Sequence, residues 1–539
     1  MDLGRAIILA RTSQCRTARS DHNARPYPPW TGLLHDPRLY SGFHARSIYD
    51  PRAINILINN PEASQVHNPA SFGMFSIKLG TMKNLPSILF IISMLITACG
   101  TPVTPAGESA TTATQESEKT PRPESTVAAQ TRLDVKQEAL NGLEITVWAP
   151  WYGVELGLLN TFVEEFNSEN EWGIKVKMES QVNFTNLYES VSASLPTAEK
   201  PDLVIALPEH ALEWNAEGVV TDLTPYTEDP LYGINSSDIP FVFWNQDSTG
   251  VARVAVPAQR TARFLLWNET WAGELGFDSA PDAPEDFKQQ ACRAQQAMLK
   301  DDSAQNDFMG GWLVDTEPMT AYAWLLAFEG GVLDGSDYRF LTPNNIAAFK
   351  FLRELSETGC AWQTANNEPF NAFANREAML VTASLEDLPD IARAMASAKN
   401  TDQWKVISFP GENEDTLLIY GSSYVILNST DNEQLASWLF IRWLLDSEQD
   451  ARWVEATHLF PIRTSTVDLL GDYEQTHPQW AQAIQLLPQG EIQPQLASWR
   501  KVKVMIGDGF THMYRVNVPS GQVPAILAQM ESIARDLDQ

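Results

Sequence analysis

The chain has 539 residues, 44% hydrophobic and 20% charged, with a formal charge of −30 and a sequence pI near 4.6. That length accommodates more than one sizeable core, and the composition is globular rather than disordered. The acidity argues against nucleic acid or an anionic lipid surface as partner, because both need clustered Lys and Arg.

Residues 1–81 differ from the rest, with nine Lys or Arg against five acids and half of the eight histidines. No amphipathic period runs through them. They are expected to be an unordered extension upstream of the real start, Met82; a cytoplasmic leader is the other reading. Residues 82–98, MKNLPSILFIISMLITA, pair a positive Lys83 with an apolar run, Leu85–Ile96. The run is shorter than the roughly 20 residues of a membrane span and suits the core of an export signal. Ile96-Thr97-Ala98-Cys99 resembles the lipobox of bacterial lipoproteins. That resemblance implies a Cys99 acylated after cleavage and an anchor on the outer face of the cell membrane. A buried helix that happens to end in Cys is the alternative. Residues 99–141 read as a tether, since Thr101–Gln130 holds few large apolar side chains and cannot offset its ordering entropy.

From Gly142 the pattern becomes that of a folded body. LEITVWAP reads as a strand, and Leu158, Leu159, Phe162, Val163 and Phe166 as one face of a helix. GIKVKMES predicts an edge strand, NFTNLYESVSASL a capped helix, PDLVIALP a buried strand and PEHALEWNAEGV a helix. The βαβαβα order demands a parallel sheet covered by helices. VARVAVPAQRTARFLLWN, Val251 to Asn268, is too long for one strand and carries Pro257; it reads as a crossing into a second sheet. Helices are expected over Pro284–Lys300, PMTAYAWLLAFEGG and PNNIAAFKFLRELSETG. Two more extended runs, REAMLVTAS (376–384) and TLLIYGSSYVILN (416–428), suggest return crossings, and the C-terminal part reads as helical. The fold class is therefore α/β, with two lobes and a ligand cleft at the carboxyl ends of the strands. Residues 142–256 and 376–420 are assigned to the N-terminal lobe, 257–375 and 421–539 to the C-terminal lobe. No internal repeat is present, which leaves a scaffold or adhesin without support.

Several stretches, in order, resemble extracellular solute-binding proteins of family 1, the maltose-binding-protein-like components of ABC importers. ITVWAPW resembles the first strand and loop, VVTDLTPYTED a "DLTPY" segment, and FLLWNETWAGELGF a strand with an aromatic-Asn pair. LLAFEGGVLD, FANREAMLVTAS and the helix pair ending in LFPIRTS continue the series over about 400 residues. The chain departs from the family at PDAPEDF, where a Thr-Trp pair is missing. The resemblance implies a type II periplasmic-binding-protein fold and a monomer that captures a solute for membrane permease subunits. It does not carry over the ligand's identity.

A saccharide offers flat C–H faces and hydroxyls, which aromatic rings and polar groups match. Of the 17 Trp, Trp151, with Tyr152, follows the first strand and should face the cleft. Asn183 and Glu209 follow the second and third strands. Trp324, on the helix before the Gly-Gly turn, is the stacking residue that the resemblance implies in the second lobe; a core Trp is the alternative. Ser384 and Glu386 follow the first return run, and Tyr420, Gly421 and Ser422 sit in the second, where Gly lets backbone approach a ligand.

Cys292 and Cys360 remain once Cys99 is acylated, and an exported setting favours a disulfide between them over two buried thiols. No C-x-x-C, HExxH, P-loop or GxSxG occurs, so neither metal nor cofactor is expected. Paired acids such as Glu164-Glu165 are adjacent and diverge, unlike the facing carboxyls of a glycosidase. The reading is a binding protein rather than an enzyme, with a lipid-anchored carbohydrate-active enzyme as the alternative.

Overall fold

The computed structural model describes residues 130–539, apart from 198 and 365–367. The expected extension, signal, Cys99 and most of the tether lie outside the described residues.

The N-terminal half of the body follows from local pattern. Strand β1 (Glu144–Ala149) leads into helix α1 (Gly153–Glu169), β2 (Lys175–Ser180), α2 (Phe184–Ser194), β3 (Leu203–Ala206) and α3 (Pro208–Ala216). β1 pairs in parallel with both β2 and β3. β2 is the edge strand, as its alternating polar face requires. β1 buries Ile145, Val147 and Ala149 against Leu159, Phe162, Val163 and Phe166 of α1.

β4 (Val256–Pro257) ends this sheet, and three residues later β5 (Thr261–Asn268) begins another. β5 is nearly buried on both faces: Phe264 and Leu266 join one core, Leu265 and Trp267 the second. Around that second core the chain lays α4 (Pro284–Met298), β6 (Gly310–Leu313), α5 (Pro318–Ala327), a small hairpin of β7 (Leu333–Asp334) with β8 (Asp337–Tyr338), α6 (Pro343–Glu357) and β9 (Ala361–Trp362). β10 (Ala378–Ala383), α7 (Leu388–Ala398), β11 (Trp404–Ile407) and β12 (Leu417–Tyr420) follow.

β13 (Ser423–Ile426) then pairs with β3 and β4 in the first sheet, and α8 (Asp431–Leu444) and α9 (Ser447–Thr457) pack there. The chain passes back to β14 (Gly490–Glu491), beside β12, and to α10 (Trp499–Met513) and α11 (Val523–Leu537) on the second core. The first sheet runs β2-β1-β3-β13-β4; the second runs β14-β12-β5-β10-β6-β9, with β11 also on β5.

Sheet membership corrects the expected lobe boundaries. The stretch 376–420 holds β10, β11 and β12, all in the second sheet, so REAMLVTAS is a central strand there and no crossing. The stretch from 421 is divided, since β13, α8 and α9 belong with the first sheet. An apolar β-branched run looks the same in either sheet, because its address is set by partners far away in sequence. Crossings do fall within the expected stretches 251–268 and 416–428, at 258–260 and 421–422.

Cys292 of α4 and Cys360 beside β9 form a disulfide with Cα atoms 4.4 Å apart. Among the described residues no helix is long and apolar enough to cross a membrane.

Candidate functional site in the interlobe cleft

The two crossings are bound to each other. The Ser422 carbonyl accepts the N–H groups of Ala258 and Gln259 at 2.9 and 3.0 Å and Nη1 of Arg260 at 2.5 Å. The Ser422 hydroxyl donates to Gln259 Oε1 at 3.1 Å. Arg260, fully buried, turns Nη2 to Asp247 at 2.6 Å, and the Ser423 hydroxyl donates to the other Asp247 oxygen at 2.6 Å. Burial pushes the Asp247 carboxyl upward while Arg260 pulls it down. Phe460 adds a third strand of chain, its N–H donating to the Arg260 carbonyl at 2.9 Å. One buried ion pair thus pins the point where the two crossings meet, with Phe460 bridged to them.

Gly421 and Ser422 therefore serve the hinge. Gly421 has φ +152°, and a Cβ there would lie 2.2 Å from the Gln259 carbonyl oxygen. The close approach expected between Gly421 and a ligand is instead one crossing against the other.

Beyond the hinge, the second sheet presents a polar edge. The start of β5, the end of β10 and the end of β12 lie side by side, with Tyr420 opposite Thr261 and Ala383 opposite Phe264. The Ser384 hydroxyl and the Tyr420 phenol share a hydrogen bond of 2.6 Å. Glu386, exposed, accepts from Thr261 Oγ1 at 2.6 Å and from Tyr420 at 3.4 Å. Ser384 caps the turn that follows, with its N–H donating to Asp387 at 2.8 Å. Burial, reinforced by Glu386, pushes Asp387 up to about 7; burial and Glu386 also hold the Tyr420 phenol protonated.

Arg263 joins this edge from β5, donating to Thr320 at 2.9 Å, Ser384 at 3.0 Å and Asp315. Burial opposes its charge, and Asp315 outweighs burial. Arg263, Asp315, Thr320 and Thr261 escaped the sequence reading. Their signal was Arg263 itself, a charge inside the apolar run FLLWN's approach, where an unpaired cation is untenable.

On the first sheet, three strand ends carry the expected residues, each with work of its own. The half-buried Trp151 ring packs 4.9 Å from Trp453, in a small recess shared with Ala258, Tyr424 and Asp450. Tyr152, at the start of α1, is 53% exposed. Asn183 caps α2, its Oδ1 accepting the Asn186 N–H at 2.8 Å. Glu209 is buried and paired with Lys503 of α10. Trp324 requires a correction: it is fully buried among Phe287, Trp312, Phe351 and Phe409 and reaches no cleft. Beyond Thr320 in its first turn, its helix is apolar all round, so it sits inside the second core. The structure thus gathers Ser384, Glu386 and Tyr420 into one cluster, while Trp151, Tyr152 and Asn183 line the ends of the other sheet.

The sequence profile of bacterial extracellular solute-binding proteins matches residues 161–488, more than half of the chain. The chain belongs to that family. Its fold is similar to those of solved proteins at 16–18% identity. The sugar-binding protein MalE from Xanthomonas citri gives a TM-score of 0.63 at 16% identity, over 73% of this chain and 97% of that one. The cyclic alpha-maltosyl-1,6-maltose binding protein of Arthrobacter globiformis gives 0.61 at 16% identity, over 73% and 99%. UgpB from Mycobacterium tuberculosis, in complex with glycerophosphocholine, gives 0.61 at 18% identity, over 73% and 98%. No curated protein matches the sequence. The two-lobed solute-binding fold expected from the sequence is therefore the one present, and this protein's role is to bind a solute.

Proposed function

We propose that this solute-binding protein is the lipid-anchored receptor of an ABC importer and captures a saccharide between its lobes. The observation that carries the reading is the polar edge of Thr261, Arg263, Ser384, Glu386 and Tyr420, set directly beyond a pinned hinge. Fixed donors and acceptors of both kinds suit the hydroxyls of a sugar, and Trp151 and Tyr152 across the hinge offer ring surface for its C–H faces. Maltose-type sugars bound by similar structures support the same ligand class. Cys99, after its export signal, would anchor the chain outside the cell, and the tether would let it reach the permease. ATP would be hydrolysed by a separate subunit, and this chain would make or break no bond.

The test is a thermal-shift panel on the purified chain, with malto-oligosaccharides, other disaccharides, polyols and glycerophosphodiesters. At least one saccharide should raise the melting temperature and remain chemically intact after incubation. A shift confined to the non-sugars would overturn the saccharide, and turnover would overturn the receptor.

A further inference from the structure

The head of α10 reads Trp499-Arg500-Lys501-Val502-Lys503, three cations within four residues of a chain whose formal charge is −30. They stand among the first five residues of a 15-residue helix, at the end where the helix dipole disfavours positive charge. Local preference therefore does not account for them.

Their partners lie on the other lobe. α10 packs its apolar face, Trp499, Val502, Met505 and Ile506, into the core of the second sheet. α3 packs Ala211, Leu212 and Trp214 with Leu187, Val204 and Val425, against the first sheet. Between the two helices, Arg500 Nε meets Glu213 at 2.7 Å, Lys501 meets the same carboxylate at 3.4 Å, and Lys503 pairs with Glu209. The Arg500 guanidinium also lies 4.0 Å over the Tyr188 ring, which stacks on Trp214, and donates to the Tyr188 hydroxyl at 3.1 Å. Burial raises both carboxyls, and the cations more than reverse it, so Glu209 and Glu213 both end below the ordinary range.

We propose that Arg500, Lys501 and Lys503 of α10 and Glu209, Glu213 and Tyr188 of the first lobe form an ion-pair latch that sets the balance between open and closed lobes. The inference rests on the reading of the two sheets as lobes of a solute clamp. Opening the cleft separates these charges and returns them to water, so each state has its own compensation. Closure then depends on ionic strength, and solute affinity inherits that dependence, because a receptor that is already closing loses less of its binding energy to the conformational change. Glu209 acts in closure rather than on the ligand.

The test measures the lobes without any solute, so its outcome is independent of which solute binds. Spin labels are placed through unnatural residues at Val154 of the first lobe and Val516 of the second, both exposed. Interlobe distances are then read between about 0.02 and 0.5 M NaCl, where the screening length falls from roughly 20 to roughly 4 Å. The short-distance population should fall as salt rises. Arg500→Glu should shift the ratio toward long distances by at least roughly two- to fivefold at low salt, the factor that even a solvent-exposed pair can be worth. The swap Arg500→Glu with Glu213→Arg should recover part of the wild-type ratio, because the pair is restored while Lys501 then faces a cation and the contact over Tyr188 is lost. If Arg500→Glu misfolds, the wild-type salt series and the swap decide. A wild-type distribution insensitive to salt, or a swap that behaves like the single variant, overturns the latch.

Discussion

Replacing Arg260 by Met tests the hinge. The side chain is fully buried and donates to the Gln259, Ser422 and Phe243 carbonyls, the Ser423 hydroxyl and Asp247. Met fills most of the volume but supplies no donor. The Ser422 carbonyl keeps two backbone N–H partners, so its loss is minor. Asp247 is different. It has no exposure and would keep the Ser423 hydroxyl as its one side-chain hydrogen-bond partner among the described residues, with Arg253 as the remaining nearby cation, so it must either bury a poorly compensated charge or take up a proton. Breaking a buried pair in this way costs about 3–5 kcal/mol, whereas replacing both members by apolar residues is often close to neutral. Urea unfolding followed by Trp fluorescence should therefore rank Arg260→Met well below the Arg260→Met, Asp247→Leu double variant. A single variant that loses less than about 1 kcal/mol, or a double variant that loses the sum of both singles, would refute the reasoning.

Three further outcomes follow from particular contacts. His210 is buried beside Tyr188 and Trp214 with no partner at Nδ1, and burial brings it down to about 4. The unfolded chain takes up this proton below about pH 6.5 and the native one only below about 4, so stability falls on acidification across that window. Relative to His210→Phe, the wild type should lose about 2 kcal/mol between pH 7 and pH 5 in chemical denaturation; a constant gap would remove the effect. Reducing Cys292–Cys360 reopens a link across 68 residues, which loop entropy values at about 4 kcal/mol. A calorimetric melting temperature unchanged by reductant would contradict this. Cells expressing the chain should label it with radioactive palmitate, and Cys99→Ser should abolish the label and release the protein; label retained in the variant would rule out Cys99.

What the sequence conveyed depended on range. The β1–α1–β2–α2–β3–α3 run was legible because period 2 and period 3.6 are written within a dozen residues. The crossing at 258–260 was legible because Pro257 interrupts a run too long for one strand. The assignment of β10 to the second sheet was not, since Val381 opposite Leu266 is a contact across more than a hundred residues. Trp324 was misplaced although its segment, YAWLLAF, has no polar face, and a helix without one belongs in a core. Ser384, Glu386 and Tyr420 were located through strand ends; Arg263 stands out as a charge in an apolar run, but its place beside Ser384 is read only from the pairing of β5 with β10. The cations at the head of α10 were visible in the sequence; their meaning required the acids on α3.

The most direct measurement is calorimetric titration of a saccharide that raises the melting temperature, into the wild type, Glu386→Gln and Tyr420→Phe. Losing a hydrogen bond to a charged group is worth about 1.5–3 kcal/mol, so Glu386→Gln should weaken binding by roughly ten- to a hundredfold. Tyr420→Phe should weaken it less, and both variants should stay folded without ligand, with melting temperatures within a few degrees of wild type. Wild-type affinity in both variants would place the solute elsewhere and contradict the account.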